Sequence, residues 1–238
     1  MDHFPVIGLL GRPAAGKSEV IDFLKRVSPE ERLQRFHIAP FVEIDDFPFV
    51  WQTFEDDDIL TRHGKNRIWT DENYYFTDPF VWNLYIEKIN LAYAKLIAKQ
   101  PAFLNGNTVI VEFSRGGKDG FREAFSFLSR EIASVLSIVY INVSYEESCR
   151  KNRRRFRPEE AHSILYHSLP DDKMEFYYKD SDWSTLAPDS EGRLIIGDTN
   201  VPYAVLNNEP EVTLDDNLLG PALEKTCTRL WNVRSGNK

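Results

Sequence analysis

The chain has 238 residues, 42% of them hydrophobic, which is long enough to bury roughly 70–75% of its unfolded surface without a disulfide or metal staple. Its 29 Lys and Arg against 37 Asp and Glu give a net charge of −8, which argues against a general nucleic-acid or anionic-membrane surface. Two cysteines, Cys149 and Cys227, are too few for a disulfide framework or a zinc site, and no stretch approaches the roughly 18–20 apolar residues of a membrane span. The start, Met1 to Pro5, has no basic n-region, so a reducing cytoplasm is the expected compartment.

Strand-length apolar runs alternate with helical periods along the chain. Residues 6–10 read as a first strand, and Val20, Ile21, Leu24 and Val27 recur at helical spacing after Lys17. Residues 41–44 read as a second strand; Val81, Leu84, Tyr85, Ile89, Ala92, Tyr93 and Leu96 mark a long helix. Residues 109–113 follow as a strand, then one helix carrying Phe121, Ala124, Phe125, Leu128, Ile132 and Val135, then strands at 138–143, 194–196 and 203–206. Continuous apolar strands separated by helices predict right-handed crossovers into a mostly parallel sheet covered on both faces, an α/β protein with three α/β/α layers. One domain over 1–238 is expected. Two stretches, 46–77 and 157–192, lack this rhythm and read as insertions at the ligand-binding edge, with packed decoration as the alternative.

Gly11-Arg12-Pro13-Ala14-Ala15-Gly16-Lys17-Ser18 fits GxxxxGK[ST] at every fixed position, with a strand before it and a helix after it. Glycines let consecutive backbone N–H groups curl around a phosphate, and the helix dipole adds to the attraction. Lys17 is expected to reach the β- and γ-phosphates of a nucleoside triphosphate, and the Ser18 hydroxyl to ligate Mg²⁺.

Residues 6–24 resemble the start of a P-loop kinase, and Gly16-Lys17-Ser18-Glu19 with Val20 is similar to loops of dephospho-CoA-kinase-like and adenylate-kinase-like proteins. Glu19 departs from the Ser or Thr common there; it would repel phosphate unless it points away along the helix, where it also complements the helix dipole. No Asn-Lys-x-Asp guanine reader is present, and Asp189-Ser190-Glu191-Gly192 lies too late to serve a GTPase.

Resemblance to the nucleoside and nucleotide kinases extends to three further segments. Asp45-Asp46, ending the second strand, matches the carboxylate that orients the acceptor hydroxyl in uridine-kinase-like enzymes; Asp45 is the candidate, Asp46 its substitute, and an acidic turn the alternative. Residues 108–116 resemble the central strand of that group, so Glu112 is expected to hold Mg²⁺ or orient the acceptor, and Arg115 to grip an acceptor phosphate or carboxylate, unless it is a surface ion pair. Residues 138–157 resemble the fourth strand and lid helix. Six of the eight residues from 150 to 157 are basic, and Arg150, Arg153, Arg154 and Arg157 fall on one helical stripe suited to a migrating phosphoryl group. A solvated face or a nucleic-acid patch would give the same stripe. The resemblance thus implies an acceptor-side insertion at 46–77 and a lid at 145–192.

Weaker candidates are His162 and His167 in the lid, Trp69, Tyr74, Tyr75 and Phe76 in the acceptor insertion, and Asn207 and Asn208 near the adenine. The expected function is an ATP- and Mg²⁺-dependent small-molecule kinase whose acceptor the sequence does not name. The alternative is a nucleotide-dependent switch with slow or no hydrolysis. A polynucleotide-end kinase is disfavoured by the acidic balance.

Overall fold

The first apolar run forms β1 (Val6–Gly11), buried along its whole length. The computed structural model describes residues 2–155 and 169–236. After β1 come α1 (Lys17–Arg26), α2 (Pro29–Phe36), β2 (Phe41–Asp45), α3 (Phe47–Arg62), α4 (Val81–Lys99), β3 (Thr108–Phe113), α5 (Gly120–Phe127), α6 (Arg130–Ala133) and β4 (Leu136–Asn142). The remainder holds α7 (Tyr145–Arg155), α8 (Asp171–Tyr178), α9 (Trp183–Leu186), β5 (Glu191–Ile196), β6 (Thr199–Asn207) and α10 (Asp216–Ser235).

The strands make a six-stranded sheet in the order β2-β3-β1-β4-β6-β5. All neighbours are parallel except β5 and β6, which form a hairpin turning at Gly197, a residue with φ +59°. Successive residues of the central strands enter opposite cores because side chains alternate across a strand. Val6, Leu10, Val109 and Val111 pack with α4, α5, α6 and α9 residues on one face, and Ile7, Leu9, Ile110 and Val139 with α1, α2 and α10 residues on the other. The three-layer α/β/α architecture is therefore present.

Three expectations are revised. Residues 119–135 are not one helix: Leu128 is extended, and the Ser129 side chain accepts from the Ile132 N–H to start α6 afresh. The aperiodic stretch 46–77 opens with a 16-residue helix, α3, whose buried positions are only Val50, Thr53 and Asp57. A buried stripe that is mostly polar is invisible to a search for apolar periodicity. Within the range expected to form a lid, Trp183 and Ala187 belong instead to the main core, with Trp183 stacked on Tyr140 at 4.0 Å and an interplanar angle of 2°.

From β1 the chain runs to one side, toward β2, and from β4 to the other, toward β6. The carboxyl ends of the neighbouring strands β1 and β4 thus flank a topological switch point, where open α/β sheets hold their ligands.

Candidate functional site

Residues 11–18 occupy that point. Gly11 sits where a Cβ would lie 2.8 Å from the Ile141 carbonyl oxygen, so the loop leaves β1 tightly against β4. Ala14 and Gly16 have φ of +54° and +118°, left-handed turns that bend the backbone into a concave shape. Neither the Ala14 nor the Gly16 N–H has a hydrogen-bond acceptor among the described residues. The Lys17 side chain is buried; its Nζ donates to Ser114 Oγ at 2.6 Å and to the Arg12 carbonyl at 3.3 Å, and lies 3.8 Å from Glu112. Ser18 is exposed at the start of α1. Arg12 reaches the other way and donates to the Tyr178 carbonyl at the end of α8.

Beside the lysine lies a group of carboxylates. Parallel pairing of β2 with β3 sets Asp45 opposite Glu112. Burial pushes the Glu112 carboxyl up to about 8, against the pull of Lys17 and with further push from Asp45 and Asp46. Burial and Asp46 push Asp45 up to about 6, while the Phe47 N–H bonded to it pulls down. Asp46 is raised by burial and restrained by Arg115, whose Nη1 lies 2.6 Å from its carboxylate. Burial is the main cause of all three raised proton affinities, with repulsion between acids adding to it at Asp45 and Glu112, and a cation beside them would lower all three. Among the described residues no three His, Cys, Asp or Glu converge to hold a metal unaided, so such an ion would take its remaining ligands from a bound anion and water.

Arg115 is placed differently from expectation. It is 3% exposed, paired with Asp46, and donates to the carbonyls of Ser114 and Trp82. It therefore enters as half of a neutral buried pair rather than as a free grip on an anion. It lines a cleft of about 170 Å³ with Trp82, Asn83, Ser114, Tyr177 and Tyr178. Ser114 thus belongs both to this cleft and to the environment of Lys17. The C-terminal end of α8 closes over the cleft, since a Cβ on Gly116 would lie 2.2 Å from the Tyr177 carbonyl oxygen.

The described arginines of the stripe meet acids of the protein itself. Arg150 pairs with Glu147 and Glu211, Arg154 with Glu211, and Arg153 with Asp171. The residues of α7 that meet the loop are on its other face: Ser148, Lys151 and Arg155, at i, i+3 and i+7. Ser148 Oγ donates to the Pro13 carbonyl at 2.6 Å, Lys151 Nζ to the Ala15 carbonyl at 3.3 Å, and Arg155 pairs with Glu19 at 2.8 Å. That pair answers the question raised by Glu19, whose carboxyl is held below its ordinary value by Arg155 against the cost of burial. The helix turns this face inward because its small and central positions, Ser148, Cys149, Lys151 and Asn152, are buried there. Arg157, His162 and His167 lie outside the described residues.

The weaker candidates are largely structural. Tyr74 and Tyr75 donate to Asp58 and Asp172, and Phe76 packs among Phe54, Trp82 and Tyr85. Asn207 bonds to Asn142 at the strand ends. Asn208 is fully buried, and its Nδ2 donates to the Ala15 carbonyl at 2.7 Å, so it meets the loop rather than an open base pocket. Ser148, Lys151, Arg155 and Ser114 were missed as site residues; the i, i+3, i+7 spacing of the first three was readable, but not which face turns inward.

No family model and no curated protein matches the chain. Among solved structures it is similar to the crystal structure of APE1195, at 15% identity and a TM-score of 0.42 over 95% of this chain and 98% of that one. It is also similar to TT1252 from Thermus thermophilus, at 14% identity and a TM-score of 0.40 over 98% and 97% of the two chains. The Pnkp1/Rnl/Hen1 RNA repair complex gives 18% identity and a TM-score of 0.30 over 67% of this chain and 42% of that one. Among the described residues no helix is long and apolar enough to cross a membrane.

Proposed function

We propose that the protein is an ATP- and Mg²⁺-dependent phosphotransferase acting on a small acceptor. The observation that carries this reading is the junction at Lys17. Its ammonium group sits between the loop of residues 11–18, the carboxylate of Glu112, and Ser114 on the wall of the cleft. A triphosphate bound in the loop and an acceptor bound in the cleft would meet there.

In this reading the free N–H groups of the loop and Lys17 bind the β- and γ-phosphates, while Ser18 and Glu112 hold Mg²⁺. Bound Mg²⁺ would supply charge neutralisation of the transferring group. Asp45 orients the acceptor hydroxyl and receives its proton. It is preferred to Asp46 because Asp46 is committed to Arg115, whereas Asp45 keeps one oxygen clear of the Phe47 N–H. A carboxylate raised to about 6 is also closer to the working pH of a general base. The Asp46–Arg115 pair shapes the cleft. Aromatic walls and a volume of about 170 Å³ suit one planar ring, given that a cavity of about 150 Å³ admits benzene.

The switch reading keeps one supporting observation. Arg150, Arg153 and Arg154 are paired with the protein's own acids, so they do not supply the positive charge a phosphoryl-transfer lid would bring.

The test is ADP formation from Mg·ATP with a panel of nucleosides, nucleotides, sugars and cofactor precursors, alongside thermal shifts for wild type and Lys17→Ala. An acceptor that accelerates ADP release supports the kinase, and release that no acceptor accelerates supports the switch. If no nucleoside triphosphate with Mg²⁺ raises the wild-type Tm, both readings fail.

A further inference from the structure

Two peptide groups of the loop have their carbonyls turned away from its concave side and tied to other parts of the fold. The Ala15 carbonyl accepts from Asn208 Nδ2 at 2.7 Å and from Lys151 Nζ at 3.3 Å. The Pro13 carbonyl accepts from Ser148 Oγ at 2.6 Å. In a trans peptide the C=O and N–H point in opposite directions. Fixing the Ala15 oxygen therefore fixes the direction of the Gly16 N–H, and fixing the Pro13 oxygen does the same for the Ala14 N–H. Neither of these two loop amides has an acceptor among the described residues.

Asn208 is built for one orientation. Its Oδ1 accepts from the N–H groups of Val212 and Thr213 at 2.7 and 3.2 Å, so Nδ2 must be the atom that faces Ala15 and the Thr213 hydroxyl. Asn208 is 0% exposed and Lys151 1%, so water does not compete for the Ala15 oxygen. The Lys151 charge is balanced by Glu211 at 3.0 Å. Gly16 admits the amide: a Cβ there would lie 2.7 Å from Asn208 Nδ2. The second glycine of the motif thus serves its φ of +118° and also leaves room for the group that holds the loop from behind.

We propose that Asn208 and Lys151 are positioning residues, which hold the Ala15–Gly16 peptide so that the Gly16 N–H is aimed at a bound triphosphate. The inference rests on the reading of residues 11–18 as a triphosphate cradle. Preorganised donors bind charge without paying for reorientation when it arrives. The connector between β6 and α10 and the inner face of α7 thereby act on the anion through the loop, without touching it.

Three variants separate this role from mere stability. Asn208→Asp keeps acceptor oxygens for Val212 and Thr213 and removes the donor to Ala15. Lys151→Met removes the second donor and leaves Glu211 paired with Arg150 and Arg154; it also serves if the first variant does not fold. Thr213→Val removes a neighbouring polar contact and leaves the Ala15 carbonyl held. Inorganic tripolyphosphate and Mg·ATP are the probes, with ¹⁵N relaxation of the ligand-free proteins as the independent readout.

Asn208→Asp and Lys151→Met are each expected to weaken both ligands about tenfold, equivalent to about 1.4 kcal/mol. The Gly16 amide order parameter should fall from about 0.85 toward about 0.6, while Thr213→Val matches wild type in both respects. Unchanged affinity, or an unchanged Gly16 order parameter, in a folded Asn208→Asp or Lys151→Met protein overturns the inference. If wild type binds neither probe, the proposed function fails by itself, and the ligand-free order parameters alone then decide the positioning role.

Discussion

Lys17 Nζ donates to Ser114 Oγ at 2.6 Å while standing 3.8 Å from Glu112, so the lysine of the loop rests on a hydroxyl that also lines the neighbouring cleft. Replacing that hydroxyl should separate the two ligands. In Ser114→Ala the acceptor KM is expected to rise about threefold or more, and ATP affinity to change by less than about twofold, because Lys17 must leave Ser114 when it binds phosphate. Steady-state kinetics with each substrate varied in turn checks this. A larger change for ATP than for the acceptor would detach Ser114 from the cleft.

The pH dependence of stability carries the signature of Glu112. Its folded-state pKa of about 8 lies above the ordinary 4.5, so its stabilising contribution is complete below pH 4.5 and is lost as pH rises through about 8. Asp45, raised from 3.8 to about 6, acts with the same sign in a lower window. Glu211, lowered from 4.5 to about 2 by Arg154 and Lys151 against burial, has the opposite sign, and its effect is confined below pH 4.5. The Tm of the ligand-free protein should therefore fall between pH 4.5 and 8, and Glu112→Gln should flatten the fall. Parallel wild-type and variant curves would be incompatible with a buried, proton-loving Glu112.

The two faces of α7 should behave differently. Arg153→Ala removes a pair exposed on both sides, whereas Arg150→Ala and Arg154→Ala remove exposed guanidiniums from acids that are largely buried; exposed pairs contribute about 0–1 kcal/mol. These variants are expected to keep kcat within about threefold. Arg155→Ala leaves Glu19 unpaired one residue from Ser18, and the freed carboxylate should raise the KM for ATP about tenfold by repulsion. The ordering of the four variants is the observable, and a larger loss at Arg153 than at Arg155 would restore the outer stripe as the functional one.

Asp57 predicts a purely architectural effect. It is fully buried and accepts from the N–H groups of Ile68, Trp69 and Thr70 and from the Thr70 hydroxyl. This carboxylate ties the end of α3 to the segment where Thr70 and Phe76 bridge. Asp57→Ala should destabilise the fold by about 2–4 kcal/mol, since it leaves several buried donors without an acceptor. Mg·ATP affinity should be retained, which calorimetry on the folded variant would show.

β1, β3 and β4 were legible because each is a short apolar run buried on both faces, β2 is legible though only partly buried, and residues 6–10, 41–44 and 109–113 need only one further residue at an end to match β1, β2 and β3. Five helices were not: α2, α3, α8, α9 and α10. α3 escaped because Thr53 and Asp57 occupy two of its three buried positions; it is held by hydrogen bonds rather than by an apolar stripe. α2 carries the signal that could have found it, Ser28-Pro29 with Glu31, and the Ser28 side chain does accept from the Glu31 N–H.

Local chemistry explains what the sequence determined alone: the loop between strand and helix, the carboxylates ending β2 and β3, and the helix at 145–155 are each written in consecutive residues. Which face of that helix meets the loop was beyond it. Arg150, Arg153 and Arg154 form one stripe and Ser148, Lys151 and Arg155 another, and a 3.6-residue period permits both. Packing chose the second, because the loop's outward carbonyls need buried donors and Ser148 and Lys151 can reach them, while the outer arginines find acids at Glu147, Asp171 and Glu211. The partners of Lys151 and Asn208 on the loop lie 136 and 193 residues away in the chain. Only the folded sheet brings them together, and with them the orientation of the loop.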